Sequence, residues 1–159
     1  MTQEEKQILF KNLCAMLPYG VIVEYGCKHE DKDLGERKSK LTGRMIDSFF
    51  GNITIGMSEV YSLQPYLRSL SSMTKQEALE LAELSGFKNI LSVKVNQDHI
   101  IVEVDDGICS SERHVIWFNE IVSSIKILDW LLKNHFDFRG LIELDLALPA
   151  PEGMYKLKQ

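Results

Sequence analysis

Cysteine is scarce and odd in number, with Cys14, Cys27 and Cys109 far apart. Three widely spaced thiols do not make a disulfide framework, and no secretory leader precedes them, so they read as reduced thiols of a cytoplasmic protein. The opening Met1-Thr2-Gln3-Glu4-Glu5 is acidic where a leader would be basic. Long hydrophobic runs are missing as well. A membrane span needs about 18 apolar residues, and the richest stretch, Val115 to Leu132, is broken by Asn119, Glu120, Ser123, Ser124, Lys126 and Asp129. Positive charge is not in excess either. Lys and Arg number 18 against 23 Asp and Glu, a net charge of −5, which disfavours nucleic acid as a partner because phosphate binding draws on clustered cations.

Signature motifs are also absent. No serine sits in Gly-x-Ser-x-Gly, and there is no phosphate-binding Gly-x-x-x-x-Gly-Lys loop, no Gly-x-Gly-x-x-Gly and no His-Glu-x-x-His. The four histidines, His29, His99, His114 and His135, have no motif around them. These absences lower the case for an enzyme without removing it.

What is present describes an ordinary globular chain. Its 159 residues, 45% hydrophobic and 26% charged, fit one domain and need no disulfide or metal to hold a core. Thr2 with Glu5 three residues on makes a capping box, and Ile8, Leu9, Leu13, Met16 and Leu17 share a face, so a helix is expected over about 3–16. Pro18-Tyr19-Gly20 ends it, and Val21–Tyr25 follows as a strand. Residues 27–36 read as an exposed loop and 37–47 as a solvated strand. Phe49-Phe50-Gly51 reads as a turn before a strand over 52–56, and another strand over 59–64 is expected to stop at Pro65. Thr74 and Glu77 repeat the capping box for a helix closed by Gly86.

The next hairpin has its apolar residues on alternate positions. To put Leu91 and Val93 on the same face as Ile100 and Val102, Val93 must oppose Ile100 and Leu91 must oppose Val102, which requires a loop of even length, at Asn96-Gln97 or over 95–98. Asp105-Asp106-Gly107 is a turn. Ser110 or Ser111 then caps a long apolar helix over 112–134, with Phe118, Ile121, Val122, Ile125, Leu128 and Leu132 in one stripe. The expected fold is a single α+β domain over residues 1–159, with a largely antiparallel sheet packed against that long C-terminal apolar helix.

Several groupings could carry chemistry. Cys27, His29, Cys109 and His114 could supply four zinc ligands, although no Cys-x2-Cys or His-x3-His knuckle is present. Carboxylates gather at Glu103, Asp105 and Asp106 and at Glu30, Asp31 and Asp33, where turn formation accounts for them as well as acid–base work does. Arg37, Lys38, Lys40 and Arg44 could track phosphates, but lysines also blunt an exposed edge strand. In each case the structural reading is preferred, so no catalytic residue, metal ligand or cofactor is assigned.

Two segments mix aromatics, arginine and turn formers: Pro65 to Thr74, and His135 to Gly140. Such surfaces are enriched in interface hot spots, which makes Tyr66, Arg68, Asp137 and Arg139 the candidate binding residues. These words, with Asp129-Trp130-Leu131, the run on to Ile142 and the later Ala150 to Tyr155, are similar to those of a group of small uncharacterised proteins from gut bacteria of the Bacteroides type and their prophages. The resemblance covers somewhat over a third of the chain and departs at Ser69, where the group has proline. It implies a mobile-element setting and supplies no catalytic residues. The resulting expectation is a non-catalytic accessory protein that acts through an unknown protein partner or self-association. The competing expectations are a metal-dependent enzyme using the Cys/His set or the clustered carboxylates, and a nucleic-acid-binding protein using residues 37–44.

Overall fold

The structure is a computed structural model that describes residues 1–30, 32–51, 58–105, 107, 110–122 and 124–155. It is α+β, with four α-helices and two sheets among the described residues. The chain forms two compact units, Met1–Leu67 with Arg139–Gln159, and Arg68–Phe138.

The first unit begins with α1, Gln3–Met16. Its capping box forms as expected: Thr2 Oγ1 accepts from the Glu5 N–H, and Glu5 Oε2 accepts from the Thr2 N–H at 2.7 Å. Gly20, at φ +67°, turns the chain into β1, Ile22–His29. Here the expected loop over 27–36 is corrected. β1 continues through Cys27 and pairs antiparallel with β2, Lys32–Lys40, from Ile22↔Lys40 to His29↔Lys32. The expected strand over 37–47 is cut short, since α2 occupies Gly43–Gly51 and takes in the expected turn at 49–51. Charge density alone does not separate a solvated loop from an edge strand, and pairing with β1 decides the matter. The strand expected over 52–56 lies outside the described residues.

β3, Ser58–Leu67, pairs antiparallel with β1 and runs through Pro65, which was expected to stop it. Proline is tolerated there because at that position β3 has a neighbour on one side only. β7, Leu148–Pro149, joins in parallel from Tyr66 onward, giving the order β2-β1-β3-β7. The Tyr155 hydroxyl ties the later segment down by donating to the Tyr66 carbonyl at 2.8 Å and accepting from the Ile22 N–H at 2.9 Å.

The second unit holds α3, Lys75–Leu84, a three-stranded antiparallel sheet, and α4, Ile125–Lys133. The sheet comprises β4, Ile90–Val95, β5, His99–Asp105, and β6, Ser111–Trp117, in that order. The second capping box, Thr74 with Glu77, forms as expected, and Gly86 follows at φ +95°. The β4–β5 loop is of even length, but its register is two residues further on than expected. Val95 opposes Ile100, Val93 opposes Val102, and Asn96 N–H bonds the His99 carbonyl, leaving Gln97-Asp98 as the turn. A bulge between Ile90 and Ser92 then turns Leu91 out, to 60% exposure, and Ile90 inward.

The long helix over 112–134 is not formed. Residues 111–117 are a strand, paired residue by residue with β5 from Asp105↔Ser111 to His99↔Trp117. Phe118–Glu120 is a single 3-10 turn, and α4 starts only after Ser124, whose hydroxyl accepts from the Ile127 N–H. The apolar run fits either structure. Its β-branched and aromatic members, Val115, Ile116 and Trp117, suit a pleated surface, and the waiting β5 edge decides. The core of this unit combines Ala78, Leu81 and Ala82 of α3, Ile100 and Val102 of β5, Ile127 and Leu131 of α4, and Phe118, Ile121 and Phe136. One face of the sheet is thereby covered. No helix among the described residues is long and apolar enough to cross a membrane.

Candidate protein-binding surface

The four residues expected to bind are divided between the units, and two of them are internal. Tyr66 is buried in the first unit. Its hydroxyl donates to Glu24 Oε2 at 2.7 Å, and the Lys38 ammonium stands 4.6 Å from the ring centroid. Burial, followed by the hydrogen bond to Glu24, raises its pKa above the ordinary phenol value. Arg139 is exposed and donates to Asn12 Oδ1 at 2.8 Å, which satisfies an amide buried on α1.

In the second unit Arg68 is a structural hub. Its guanidinium makes a two-pronged pair with Glu77, with Nη2 to Oε2 at 2.9 Å, and lies 4.4 Å from the Phe136 ring centroid. The Arg68 N–H bonds the His135 carbonyl, and the Asp137 N–H bonds the Arg68 carbonyl, both at 2.8 Å. Asp137 is half-buried.

His135 ends α4 in the left-handed region at φ +59°. Burial first, and then the charge of Arg68, pushes its imidazole down from the ordinary 6.5 to about 4. Between those values the unfolded chain holds a proton that the folded chain does not. The stability contributed by the neutral ring is therefore full above pH 6.5 and lost as pH falls toward 4. His135→Asn keeps a side chain that tolerates positive φ and removes the titration. Its unfolding midpoint is expected to fall less than that of the parent chain between pH 7 and pH 5, as measured by urea denaturation at both values.

The chemically suggestive groupings are occupied by local structure. Cys27 and His29 lie on β1 and His114 on β6, while Cys109 lies outside the described residues. Among the described residues no three or more His, Cys, Asp or Glu side chains are grouped to hold a metal ion. Glu103 accepts from the Ser92 and Ser111 hydroxyls, and these bonds hold its carboxyl below the ordinary carboxylate value. Asp105 Oδ1 accepts from the Gly107 N–H in a turn, Asp33 Oδ1 accepts from the Gly35 N–H, and Asp106 and Asp31 lie outside the described residues. Arg37, Lys38 and Lys40 sit on β2, with Lys38 3.5 Å from Glu24, and Arg44 sits on α2.

A surface that the sequence reading missed lies on β6. The register places Arg113, Val115 and Trp117 on the open face of the sheet, beside Glu103, Ile101 and His99 of β5. Val115 and Trp117 are each 45% exposed, and the Trp117 ring lies 4.9 Å from that of His99. β6 is also an outer strand. Among the described residues no backbone hydrogen bond joins Ser111–Trp117 to anything but β5. The other outer strands carry the devices that protect an edge. β2 reads Lys-Asp-Leu-Gly-Glu-Arg-Lys-Ser-Lys and its pairing is bulged, β4 is bulged and carries Lys94, and β7 is two residues long and ends in proline. β6 has no lysine, no proline and no break in register. The alternation Arg113-Val115-Trp117 was visible in the sequence, but the helix reading concealed it. No family model, curated protein or solved structure matches this chain.

Proposed function

We propose that this chain is a non-catalytic accessory protein that binds another polypeptide through the edge and open face of β6. The single observation that carries the reading is the contrast between β6 and the other outer strands. An edge with free backbone groups, and an open face on which Val115 and Trp117 stand beside Arg113, is a template for strand addition, in which main-chain bonds give affinity and alternate side chains give selectivity. Trp117 and Arg113 are of the residue types that dominate interface energetics. Arg68 serves this reading as an internal support of the second unit, while Tyr66 and Arg139 lie in the first unit, where Arg139 provides a control position.

The test is site-specific photocrosslinking in cells that naturally make the protein. A photoreactive aromatic residue at position 117 is expected to give a discrete polypeptide adduct, and the same group at Arg37 on β2 is expected to give none. The adduct should disappear with Val115→Pro and persist with Arg139→Ala. Equal labelling from both positions, or no adduct from position 117, would overturn the reading.

A further inference from the structure

We infer that the strand taken up by β6 is β6 of a second copy of this chain, paired antiparallel about a two-fold axis through Val115. The inference rests on the β6 binding reading and identifies the occupant.

The geometry begins with one bond. Phe118 N–H donates to the Asp98 carbonyl at 3.0 Å, so 118 and 98 form a hydrogen-bonded pair at the end of the β5–β6 ladder. Antiparallel pairs alternate. Residues 116, 114 and 112 therefore spend their backbone groups on β5, and 117, 115, 113 and 111 direct theirs outward. The residues with outward backbone groups are the same ones whose side chains stand on the open face.

Two copies of one strand related by a two-fold axis oppose residues whose numbers add to a constant. An even sum keeps the open faces of both sheets on one side. The side chains then select among the centres. A centre at Arg113 puts two guanidinium groups face to face, which is destabilising. A centre at His114 sets Trp117 against Ser111 and Arg113 against Val115, matching neither. A centre at Ile116 runs into the 3-10 turn at Phe118 and keeps only residues 115–117 of β6 paired. A centre at Val115 sets Val115 against Val115 and Arg113 against Trp117 twice, once on each side of the axis. Cross-strand β-branched pairs and a cation over an indole are both favourable. All three of these pairs have outward backbone groups, so each closes with two main-chain hydrogen bonds. The joined sheet has six strands. Its remaining outer strands are the two copies of β4, with their bulge and Lys94, so association stops at two.

A contact built on one short strand is small, so the expected product is a reversible dimer. Sedimentation velocity of the full chain over a wide concentration range is expected to show a monomer–dimer equilibrium. Val115→Pro blocks an outward N–H and leaves the β5 ladder untouched. It is expected to weaken the dimer at least about tenfold. Arg113→Glu and Trp117→Lys, each alone, should weaken it similarly, whereas the double variant Arg113→Glu/Trp117→Lys restores opposite charges across the axis and should recover most of the affinity. Circular dichroism confirms that each variant is folded, and the charge pair carries the test if the proline variant does not fold.

A chain that stays monomeric at every concentration overturns the inference, as does a dimer indifferent to Arg113→Glu, a double variant no better than the singles, or growth beyond two copies. The β6 binding reading fails separately. A monomeric chain that still crosslinks from position 117 to a different polypeptide keeps that reading and removes self-pairing.

Discussion

Arg68→Ala is expected to destabilise the second unit by about 3–5 kcal/mol, the cost of removing one partner from a buried ion pair. The side chains of Arg68 and Glu77 are only 14% and 4% exposed. Without the guanidinium, the carboxylate stays buried beside Thr74 with its charge unmatched. Glu77 also closes the α3 cap, since its Oε2 accepts from the Thr74 N–H at 2.8 Å. Burial raises the Glu77 pKa, but the Arg68 hydrogen bond and the Thr74 N–H together outweigh it, and the net value lies below the ordinary 4.5. A depressed folded-state pKa adds stability that is present above the unfolded value and lost as pH falls through the folded one. The difference between Arg68→Ala and the parent chain is therefore expected to be largest above pH 4.5 and to shrink on acidification below it. Urea denaturation at pH 7 and pH 3 measures this. A cost below about 1 kcal/mol at pH 7 would place the pair in the class of exposed ion pairs and refute the hub role.

Phe136→Ala is expected to cost about 3–5 kcal/mol, the range for removing a large buried aromatic. Phe136 is fully buried, stacks on Trp130 with centroids 5.6 Å apart, and receives the Arg68 guanidinium on its ring. The Trp130 Nε1–H donates to Glu80 on α3, so the stack also connects α4 to α3. The same substitution is expected to change Trp130 fluorescence in the folded state, because the indole loses its stacked neighbour. Arg68→Ala and Phe136→Ala share a contact, so the double variant should cost less than the sum of the singles. Additive costs would show that the guanidinium draws nothing from the ring.

These two effects show how differently the parts of this chain could be read in advance. Thr74 and Glu77 were legible as a cap because a capping box is a local arrangement over four residues. The same holds for Thr2 with Glu5, and for the stop at Gly86. That Glu77 also holds Arg68, and that Arg68 lies on Phe136, follows from no spacing. The partners meet only when the strand-like segment at Arg68 pairs with Phe136 after α4 has turned the chain around. The hairpin was legible to parity, because a one-residue slip would have turned Val93 and Val102 outward. It was not legible to register, because a two-residue shift leaves the faces unchanged and the bulge at Leu91 is a choice of the ladder. The candidate surface was least legible. Tyr66 and Arg68 have the composition of hot spots, and burial took both inward, while β6 was hidden inside an apolar run that suits helix and strand equally.

The sequence by itself determined the interactions that close within a few residues, both capping boxes, the turns at Gly20 and Gly86 and the even hairpin, and with them the α+β class, although the strands form two sheets where one was expected. Their energies depend on neighbours along the chain, and those neighbours are written in order. The tertiary structure alone decided that residues 111–117 are a strand, that β1 and β2 extend through a charged stretch, and that Pro65 is carried inside β3. In each of these cases the local preferences nearly balance. The free energy of pairing with a strand brought up from elsewhere in the chain then sets the outcome, and with it the exposed edge on which the proposed function rests.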